Sequence, residues 1–411
     1  MRYGDFVNAR APALRFIFLT LLLDVLGIGI IIPVAPKLVQ MLQGGDDAAA
    51  APLVGALGAT YAAMLFVFAP ILGALSDRFG RRPVLLVSML GSGLDYFAMA
   101  LAPTVAWLFV TRALNGISGA SMATANAYIA DVTPPEKRAG AYGMVGAAFG
   151  LGFVLGPLLG GMLGEIDIRL PFWAAGAMAL TNAVYGMFVL PESLPKEKRN
   201  PSPLSLHPTK TIGVLFRYPL AARLSMSLFL LNVAQFALHA TWVFYCARRF
   251  GWGTHDVGLS LFAVGVGAVI VQGGLTRRLV PKLGNERSLL IGVLIGVIAY
   301  CGYAFSTEGW MLYTAIAIAS LGGIAMPACQ ALITQSVDPK EQGAVQGGIS
   351  GMQSLANVAG PLLGSAIYEW SITGGRDEPG LVYWNSAALA LLCLALVAMA
   401  LRKNRAEAVA S

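Results

Sequence analysis

The stretch Gly73-Ala74-Leu75-Ser76-Asp77-Arg78-Phe79-Gly80-Arg81-Arg82-Pro83 joins two apolar segments. The segment that leads into it, residues 48–76, is 29 residues long and contains no Asp, Glu, Lys or Arg. The segment that follows it is interrupted by one charged residue, Asp95. Four charges and a glycine are therefore confined to a short connection between two hydrophobic helices. This pattern is typical of a basic hairpin between two membrane spans.

The composition indicates that most of the chain lies in lipid. Of the 411 residues, 57% are hydrophobic and 12% are charged, whereas soluble domains carry about 25% charged residues. So few charges cannot cover a water-exposed surface of this size. The net charge of +7 favours basic cytoplasmic loops over nucleic-acid binding. The wide spacing of the cysteines in apolar runs predicts packing roles for Cys246, Cys301, Cys329 and Cys393.

Twelve segments are apolar enough to span a bilayer, which requires roughly 20 residues each. They are residues 16–36, 48–76, 83–103, 104–130, 139–164, 170–191, 224–247, 257–276, 288–307, 309–337, 343–368 and 379–401. With twelve spans both termini lie on one side of the membrane, and that side then carries 22 of the 28 Lys and Arg residues. Because Lys and Arg are concentrated in cytoplasmic loops, both termini are predicted to be cytoplasmic.

The two sides of a proline-rich connection, residues 191–219, resemble each other. A shift of 204 residues without gaps aligns Gly80 with Gly284, Pro135 with Pro339, and residues 156–160 with residues 360–364. Internal repeats of this kind are typical of transporters.

We therefore predict an all-α integral membrane protein with 12 transmembrane helices in two six-helix pseudo-repeats. The predicted divisions are an N-terminal half at residues 1–192, a cytoplasmic linker at 193–218 and a C-terminal half at 219–411.

Three motifs resemble those of the major facilitator superfamily. The hairpin at residues 73–83 is similar to the superfamily's signature loop between helices 2 and 3. Arg112 with Asn115-Gly116 is similar to its helix-4 motif. Residues 152–161, which contain Gly156-Pro157, are similar to the helix-5 motif of its drug/proton antiporters. The resemblance covers essentially the whole chain and implies two six-helix halves around a central pathway.

A narrower resemblance is to the tetracycline efflux branch of this superfamily. It is carried by residues 23–36, 94–96, 127–131, 190–193 and 322–330. The resemblance implies that a tetracycline, arriving as a metal chelate, is exchanged for a proton, with no resident cofactor or metal site. The chain departs from the branch in helix 9, where residues 288–307 contain no acid and Gly296 stands near the position of the usual carboxylate.

Asp24 and Asp95 are the strongest candidates for proton coupling. A charge in the middle of the bilayer costs ~2.5–3.5 kcal/mol, so such residues usually face a cavity and have a function. Burial disfavours the ionised carboxylate, so these side chains can bind a proton on one side of the membrane and release it on the other. Arg112 keeps its proton and is predicted to neutralise Asp24. The alternative is a structural ion pair of Asp24 with Arg112 that holds helices together.

The hairpin and the Gly-Pro segment are candidate gating elements. Asp77 is placed to meet the positive end of a neighbouring helix, a contact that can close the cytoplasmic side in one state. For Arg81 and Arg82 the topological interpretation, positive charge kept in the cytoplasm, is favoured. Small residues such as Gly156 let helices approach closely. The full gating set is Gly73, Asp77, Arg78, Gly80, Arg81, Arg82, Gly156 and Pro157.

Polar residues in the apolar segments are candidates for substrate binding. Asn232, Gln235 and His239 are three and four residues apart, so they share one face of a helix. Such a face indicates a cavity wall, and Asn115 and Gln330 complete the predicted set. The alternative is hydrogen bonding between helices, worth about 0.6 kcal/mol on average.

No nucleotide-binding loop and no hydrolase or zinc-protease motif occurs in the sequence, so we predict that the chain is not an enzyme. We predict a proton-coupled antiporter that exports a tetracycline-like or other amphipathic drug by alternating access. One alternative is a proton-coupled symporter that imports a sugar or organic acid, against which the Gly156-Pro157 motif argues. Another is a non-transporting receptor or structural protein, against which Asp24 and Asp95 argue.

The expected partners are a small-molecule drug, protons and the lipid bilayer of the bacterial inner membrane. We expect no nucleic acid and a monomeric protein.

Overall fold

Long apolar runs fold as helices because lipid offers no hydrogen-bond partner to backbone N–H and C=O groups, which must bond within the segment. The structure, a computed structural model, describes residues 10–119, 122–134, 138–199, 213–338 and 341–410. Within these ranges the regular structure is entirely helical. Residues 200–212 of the predicted linker and the predicted match of Pro135 with Pro339 lie outside the described residues.

Sixteen α-helices are described. The first eight are α1 (Arg10–Ile31), α2 (Ala35–Leu42), α3 (Asp47–Phe79), α4 (Arg81–Ala100), α5 (Val105–Gly119), α6 (Met122–Val132), α7 (Arg138–Ile166) and α8 (Leu170–Val189). The others are α9 (Pro219–Phe250), α10 (Thr254–Ile270), α11 (Thr276–Leu283), α12 (Asn285–Phe305), α13 (Gly309–Leu321), α14 (Ala325–Gln335), α15 (Gln342–Ile372) and α16 (Leu381–Ala410). A π-helical segment, Val271–Leu275, joins α10 to α11, and a 3-10 turn, Gly322–Ile324, joins α13 to α14.

The predicted spans coincide with these helices. In the described part of the chain, nine helical segments are long and apolar enough to cross a membrane, or ten when α1 and α2, bent by 41°, count as one. The two remaining predicted spans, residues 104–130 and 343–368, are helical as well. The first contains α5 and α6, between which residues 120–121 are not described, and the second is α15, which is rich in glycine and polar residues. The prediction of an all-α membrane fold is confirmed.

The same helix pairings occur in both repeats. In the first repeat α1 packs on α7 and α8, and α4 packs on α8. In the second repeat α9 packs on α15 and α16, and α12 packs on α16. The positions at which the helices approach closely are related by the same 204-residue offset. A Cβ added to Gly156 would meet Gly29, and a Cβ added to the equivalent Gly360 would meet Val233, the equivalent of Gly29. The predicted pseudo-repeat is therefore visible in the packing.

The contacts group the chain into two compact units. The first contains α1, α2, α4 to α8, the part of α3 from Thr60 onward, and residues Gly253–Phe262. The second contains residues Gln43–Ala59, α9, the rest of α10, and α11 to α16. Gly258 in the first unit lies against Pro157 and Gly161, and Gly55 in the second lies against Pro361 and Ser365. The predicted division at residues 192 and 219 stays a prediction.

Two glycines end helices in the same backbone conformation. Gly80 separates α3 from α4 with φ 108° and ψ 156°, and Gly284 separates α11 from α12 with φ 79° and ψ 159°. Residues with a Cβ rarely adopt this conformation, so glycine is the residue that allows these reversals. The two turns are equivalent in the repeat but differ in surroundings. A Cβ at Gly80 would meet the Glu192 carboxylate, whereas nothing lies within 4 Å of one at Gly284.

Candidate functional site

The intramembrane acid Asp95 lies on α4 and is held by a residue of α5. Asn115 Nδ2 donates a hydrogen bond to Asp95 Oδ2, and the two atoms are 2.7 Å apart. Both side chains are buried, with exposed fractions of 4% for Asp95 and 5% for Asn115. Asp95 Oδ1 is buried too and has no hydrogen-bond partner among the described residues. The carboxyl group therefore has one oxygen fixed by an amide and one that can carry a proton.

Arg112 lies one helical turn before Asn115 on α5. Its guanidinium contacts the Met99 sulfur, and its Cζ lies 5.9 Å from the centre of the Tyr61 ring. No carboxylate of the described residues lies within the 4.0 Å of a salt bridge to Arg112. The positive charge thus stands beside an aromatic face, a favourable arrangement for a cation.

Asp24 is half-buried on α1. In the described ranges no basic side chain lies within 4.0 Å of its carboxylate. The Tyr96 ring lies against α1 one helical turn after Asp24, since a Cβ added to Gly27 would lie 3.4 Å from it. Tyr96 directly follows Asp95 in the chain, and the Tyr61 ring lies beside Arg112. The structure therefore brings the three predicted proton-coupling residues into one neighbourhood, without the predicted direct pairing of Asp24 with Arg112.

We name this group the acid cluster, and its members are Asp24, Tyr61, Asp95, Tyr96, Arg112 and Asn115. The two tyrosines were not among the predicted site residues. Tyr96 directly follows Asp95, and Tyr61 is the one hydroxyl-bearing aromatic residue in the charge-free run 48–76. Both tyrosines could therefore have been identified from the sequence as candidate site residues. Asn115 bonds a carboxylate of this cluster, and its predicted contact with substrate stays a prediction.

Arg81 is the centre of a second group at the α3–α4 hairpin. Its side chain is 10% exposed, and its Nη2 lies 2.6 Å from Asp77 Oδ1. Arg81 Nε lies 3.3 Å from Asp131 Oδ2 at the end of α6, and Nη1 lies 2.5 Å from Ser76 Oγ. The guanidinium therefore joins the end of α3 to the end of α6. Asp77 contacts the side chain of Arg81, the first residue of α4, and its predicted role in gating stays a prediction.

Glu192, just after α8, completes this group. Its Oε1 accepts a hydrogen bond from the backbone N–H of Arg81 at 2.9 Å and another from Leu194 at 3.1 Å. Ser193 Oγ donates to Asp131 Oδ2 at 3.0 Å. We name Ser76, Asp77, Gly80, Arg81, Asp131 and Glu192 the hairpin cluster. Asp131 and Glu192 belong to stretches that resemble the tetracycline efflux branch, yet neither was predicted to take part in gating.

The other hairpin residues lie outside the hairpin cluster. Arg78 is exposed, and its Cζ lies 5.5 Å from the centre of the Phe79 ring. Arg82 donates a hydrogen bond to the backbone oxygen of Met187. Gly73 has nothing within 4 Å of an added Cβ. Of the three arginines, Arg81 alone is buried, and its guanidinium contacts Asp77 and Asp131. The topological interpretation of Arg81 stays a prediction.

The Gly-Pro segment of α7 packs closely on two helices. An added Cβ at Gly156 would lie 2.7 Å from Gly29 Cα on α1. An added Cβ at Gly258, near the start of α10, would lie 2.5 Å from the Pro157 carbonyl oxygen. The small residues are therefore required for contact of α7 with both neighbours.

A small cavity in the second unit contains two predicted substrate-binding residues. It measures about 20 Å³ and is lined by α9, α14 and α15. Asn232, Gln330 and Gln353 are polar groups on its wall, and Phe229 is an aromatic one. Gln330 Oε1 also accepts a hydrogen bond from Gln346 Nε2 at 2.9 Å. A cavity of this size holds about one water molecule.

Gln235 and His239 form a separate polar chain on α9. Gln235 Nε2 and His239 Nε2 are 2.9 Å apart, and the Tyr300 hydroxyl donates to Gln235 Oε1 at 3.0 Å. The predicted polar face is therefore divided, since Asn232 lines the cavity and the other two residues bond to each other and to α12. Tyr300 was not predicted as a site residue.

A further ion-pair group in the second unit involves the start of α3. Arg248, near the end of α9, has its Nη1 3.0 Å from Asp47 Oδ2 and its Nε 2.7 Å from Asp377 Oδ1. The Tyr368 hydroxyl lies 3.3 Å from Asp47 Oδ2. We name Asp47, Arg248, Tyr368 and Asp377 the Arg248 cluster. This cluster was not predictable from the sequence, because the charge of a loop residue indicates its side of the membrane and not its partner.

These groups lie on a chain whose family can be identified. The model of the Major Facilitator Superfamily matches residues 17–310 and 282–411. The chain belongs to the Major Facilitator Superfamily. It is therefore a multi-pass membrane transporter and not an enzyme, as predicted.

Relatives within the superfamily confirm the narrower resemblance. The chain is 39% identical to the class C tetracycline resistance protein of Escherichia coli, over 93% of this chain and 95% of the relative. It is 38% identical to the class G tetracycline resistance protein of Vibrio anguillarum, over 91% and 94%. The class B protein of Escherichia coli is 34% identical, over 85% and 87%.

Solved structures share the fold of this superfamily member. The human organic anion transporter MFSD10 (TETRAN) superimposes with a TM-score of 0.70 at 25% identity, over 94% of this chain and 99% of that one. A bacterial homolog of the human lysosomal transporter Spinster gives a TM-score of 0.76 at 18% identity, over 96% and 97%. The nucleoside transporter NupG gives 0.76 at 12% identity, over 96% and 99%. The last two are evidence of the fold alone.

Proposed function

We propose that the chain is a proton-coupled antiporter that exports a tetracycline-like drug across the bacterial inner membrane. The acid cluster is the observation that supports proton coupling. In it Asp95 has an oxygen with no hydrogen-bond partner among the described residues, and Asp24 has no basic side chain within 4.0 Å among them. The substrate class is supported by the similarity to the class C and class G tetracycline resistance proteins.

Charge balance in the acid cluster explains why proton and drug exchange. Two ionised carboxylates and the Arg112 guanidinium leave one negative charge, which is costly in a medium of low dielectric constant. Arg112 stays protonated, so it cannot vary that charge. Either a proton or a positively charged substrate can balance it, and the binding of one disfavours the other. Competition for one charge produces antiport.

Polar groups of the second unit are proposed to contact the substrate. Asn232 and Gln330 present amides to the small cavity, and Gln235 with His239 present a donor and acceptor pair. A drug-sized site requires about 300–1,000 Å³, whereas this cavity measures about 20 Å³. The cavity must therefore widen before a drug of this size can bind there.

Two ion-pair groups are proposed to act as gates. Asp47 and Asp77 lie at opposite ends of α3, and 30 residues of helix separate them by about 45 Å. The bias of 22 in 28 basic residues supports a cytoplasmic position for both termini and for the hairpin cluster. The Arg248 cluster then faces the periplasm. Alternating access requires that the two gates open in turn.

Proton release from everted membrane vesicles tests the proposal. Vesicles that contain the protein are energised to acidify their interior, and tetracycline is added with Mg²⁺. We expect the drug to enter and protons to leave, which a pH-sensitive dye reports. No proton release with tetracycline or any other amphipathic drug would reject antiport. Chelation of the Mg²⁺ by EDTA is expected to lower the response if the chelate is the transported form.

Replacement of one acid tests which residue carries the coupling. Asp24→Asn removes a negative charge from the acid cluster, so we expect loss of uphill transport with an unchanged melting temperature in detergent. Glu165→Gln, an exposed acid at the end of α7, is the matched control and should transport normally. Drug resistance retained in cells that express Asp24→Asn would show that Asp24 does not couple.

A further inference from the structure

An open groove of the second unit lies between α9 and α16. Its volume is about 330 Å³. Arg223 and Met226 contribute from α9, and Leu396, Met399 and Lys403 contribute from α16. The proposed transport function uses none of these residues.

The two basic groups lie at the same end of the groove. Arg223 is four residues from the start of α9, and Lys403 is in the last part of the final membrane-spanning segment, Leu381–Ala406. The two helices run in opposite directions along the chain, so the start of one lies beside the end of the other. Because the ends of a membrane-spanning helix lie near the boundary between lipid and water, we place this end of the groove at that boundary. A guanidinium has five N–H donors, so Arg223 can bind an anion while it keeps other contacts.

The rest of the groove is apolar and extends into the span. Leu396 is seven residues before Lys403, which corresponds to about 10 Å along the helix axis. Met226 and Met399 are 45% and 56% exposed. Exposed apolar residues on a membrane-spanning helix face hydrocarbon chains, and methionine adapts its shape to irregular partners.

We propose that this groove binds one anionic phospholipid. The phosphate lies between Arg223 and Lys403, and an acyl chain lies along Met226, Met399 and Leu396. The charge is complementary, because basic pockets between transmembrane helices favour anionic head groups. A zwitterionic lipid brings its own cation next to these two and is therefore bound less well. A cationic drug is repelled at the same end.

The neighbouring residue Arg402 provides a matched control. It is exposed and adjacent to Lys403 on α16, but it does not line the groove. If the basic residues at this helix end acted only through their positive charge, the loss of either would have the same effect. If the groove is the binding site, only replacement of a residue that lines it should weaken lipid binding.

Native mass spectrometry of the purified full-length protein tests the proposal. The protein in detergent is titrated with phosphatidylglycerol or with phosphatidylcholine of the same acyl chains. We expect one phosphatidylglycerol to bind in preference to phosphatidylcholine. Lys403→Gln and Arg223→Gln should each weaken it about five-fold, and Arg402→Gln should leave it unchanged. Equal binding of the two lipids, or an equal loss in Arg402→Gln, would overturn the proposal.

A steric variant tests the apolar part of the groove without a change of charge. Met399→Trp fills the space beside Met226, and Met399 is exposed, so the variant is expected to fold. We expect it to lower phosphatidylglycerol binding as strongly as Lys403→Gln. Unchanged binding in this variant would show that the lipid does not occupy the groove.

Discussion

Gly80 is subject to two constraints, and its repeat partner Gly284 is subject to only one of them. Both have a positive φ, of 108° and 79°, which costs a residue with a Cβ about 1–3 kcal/mol. At Gly80 the Cβ position is also occupied by the Glu192 carboxylate and lies 2.8 Å from an Arg199 nitrogen. A comparison of the two positions therefore separates backbone strain from the loss of a tertiary contact.

We expect Gly80→Ala to destabilise the protein more than Gly284→Ala. In Gly80→Ala the new methyl group displaces Glu192, which loses its hydrogen bond from the Arg81 backbone. Such a bond to a charged group contributes about 1.5–3 kcal/mol. Thermal unfolding in detergent measures the difference, and Gly284→Ala serves as the control for strain. Equal destabilisation of the two variants would mean that the Glu192 contact contributes nothing.

The contact surfaces of α7 are restricted to small side chains at several positions. Toward α1 it presents Gly152, Gly156 and Gly160, and toward the start of α10 it presents Gly161. Two apolar helices in lipid gain nothing from the hydrophobic effect when they associate. Their association depends on close van der Waals contact, which these glycines permit. The loss of one such contact therefore weakens the helix pair directly.

Gly160→Ala is expected to lower both the melting temperature and the transport rate. The added methyl group coincides with the carbonyl oxygen of Ile30, and overpacking of this kind costs about 1–3 kcal/mol. Gly146→Ala on the same helix is the matched control, because nothing lies within 4 Å of its Cβ. That variant should be neutral or slightly stabilising, since alanine favours helix by about 1 kcal/mol. A control variant as unstable as Gly160→Ala would refute the packing explanation.

The Arg248 cluster joins the ends of three helices of the second unit. Asp47 begins α3, Arg248 is near the end of α9, and Tyr368 is on α15. Asp47 is 20% exposed and Arg248 31%, whereas Asp377 is 72% exposed. An exposed pair contributes little because solvent screens it and both side chains lose entropy. The Asp47 pair is therefore expected to contribute more than the shorter Asp377 contact.

Double-mutant cycles test this ranking. Arg248→Gln is combined with Asp47→Asn in one cycle and with Asp377→Asn in the other, and stability is read from thermal unfolding. We expect a coupling energy of about 1 kcal/mol for Asp47 and near zero for Asp377. A larger coupling to Asp377 would contradict this ranking and the proposed role of Asp47 as the main partner of Arg248.

The orientation of the chain in the membrane decides which of the two clusters faces the cytoplasm. The charge bias predicts cytoplasmic termini, so a green fluorescent protein fused after Ser411 should be fluorescent in bacterial cells. Alkaline phosphatase fused at the same position should be inactive, because it requires the periplasm. The reverse pair of results would place the hairpin cluster on the periplasmic side and exchange the two gates.

Much of the fold was predictable from the sequence because lipid imposes strict rules. Every backbone group must bond within a helix, and each charge in the bilayer is costly. Asp24, Asp95 and Arg112 are conspicuous for this reason. The repeat was predictable from Gly80 and Gly284 at a constant offset.

The contacts between charged residues that are distant in the sequence were not predictable. Arg78, Arg81 and Arg82 are equivalent in the sequence, and only the fold shows that Arg81 is buried. Its acid partner Asp131 is 50 residues away along the chain, and Glu192 is 111 residues away. No local pattern encodes such distances. The sequence likewise does not specify the distance between Asp24 and Arg112, so it could not predict that these two side chains form no salt bridge among the described residues.

The length of α3 has a consequence for the two gates. Its 33 residues extend for about 50 Å, whereas the hydrocarbon core of a bilayer is about 30 Å thick. Both ends therefore reach the aqueous layers, where dissolved ions screen charge pairs over roughly 8–10 Å. The acid cluster lies within the membrane and is protected from this screening. We therefore expect the ionic strength of each compartment to act on the proposed gate that faces it, and proton binding by the acid cluster to be independent of salt.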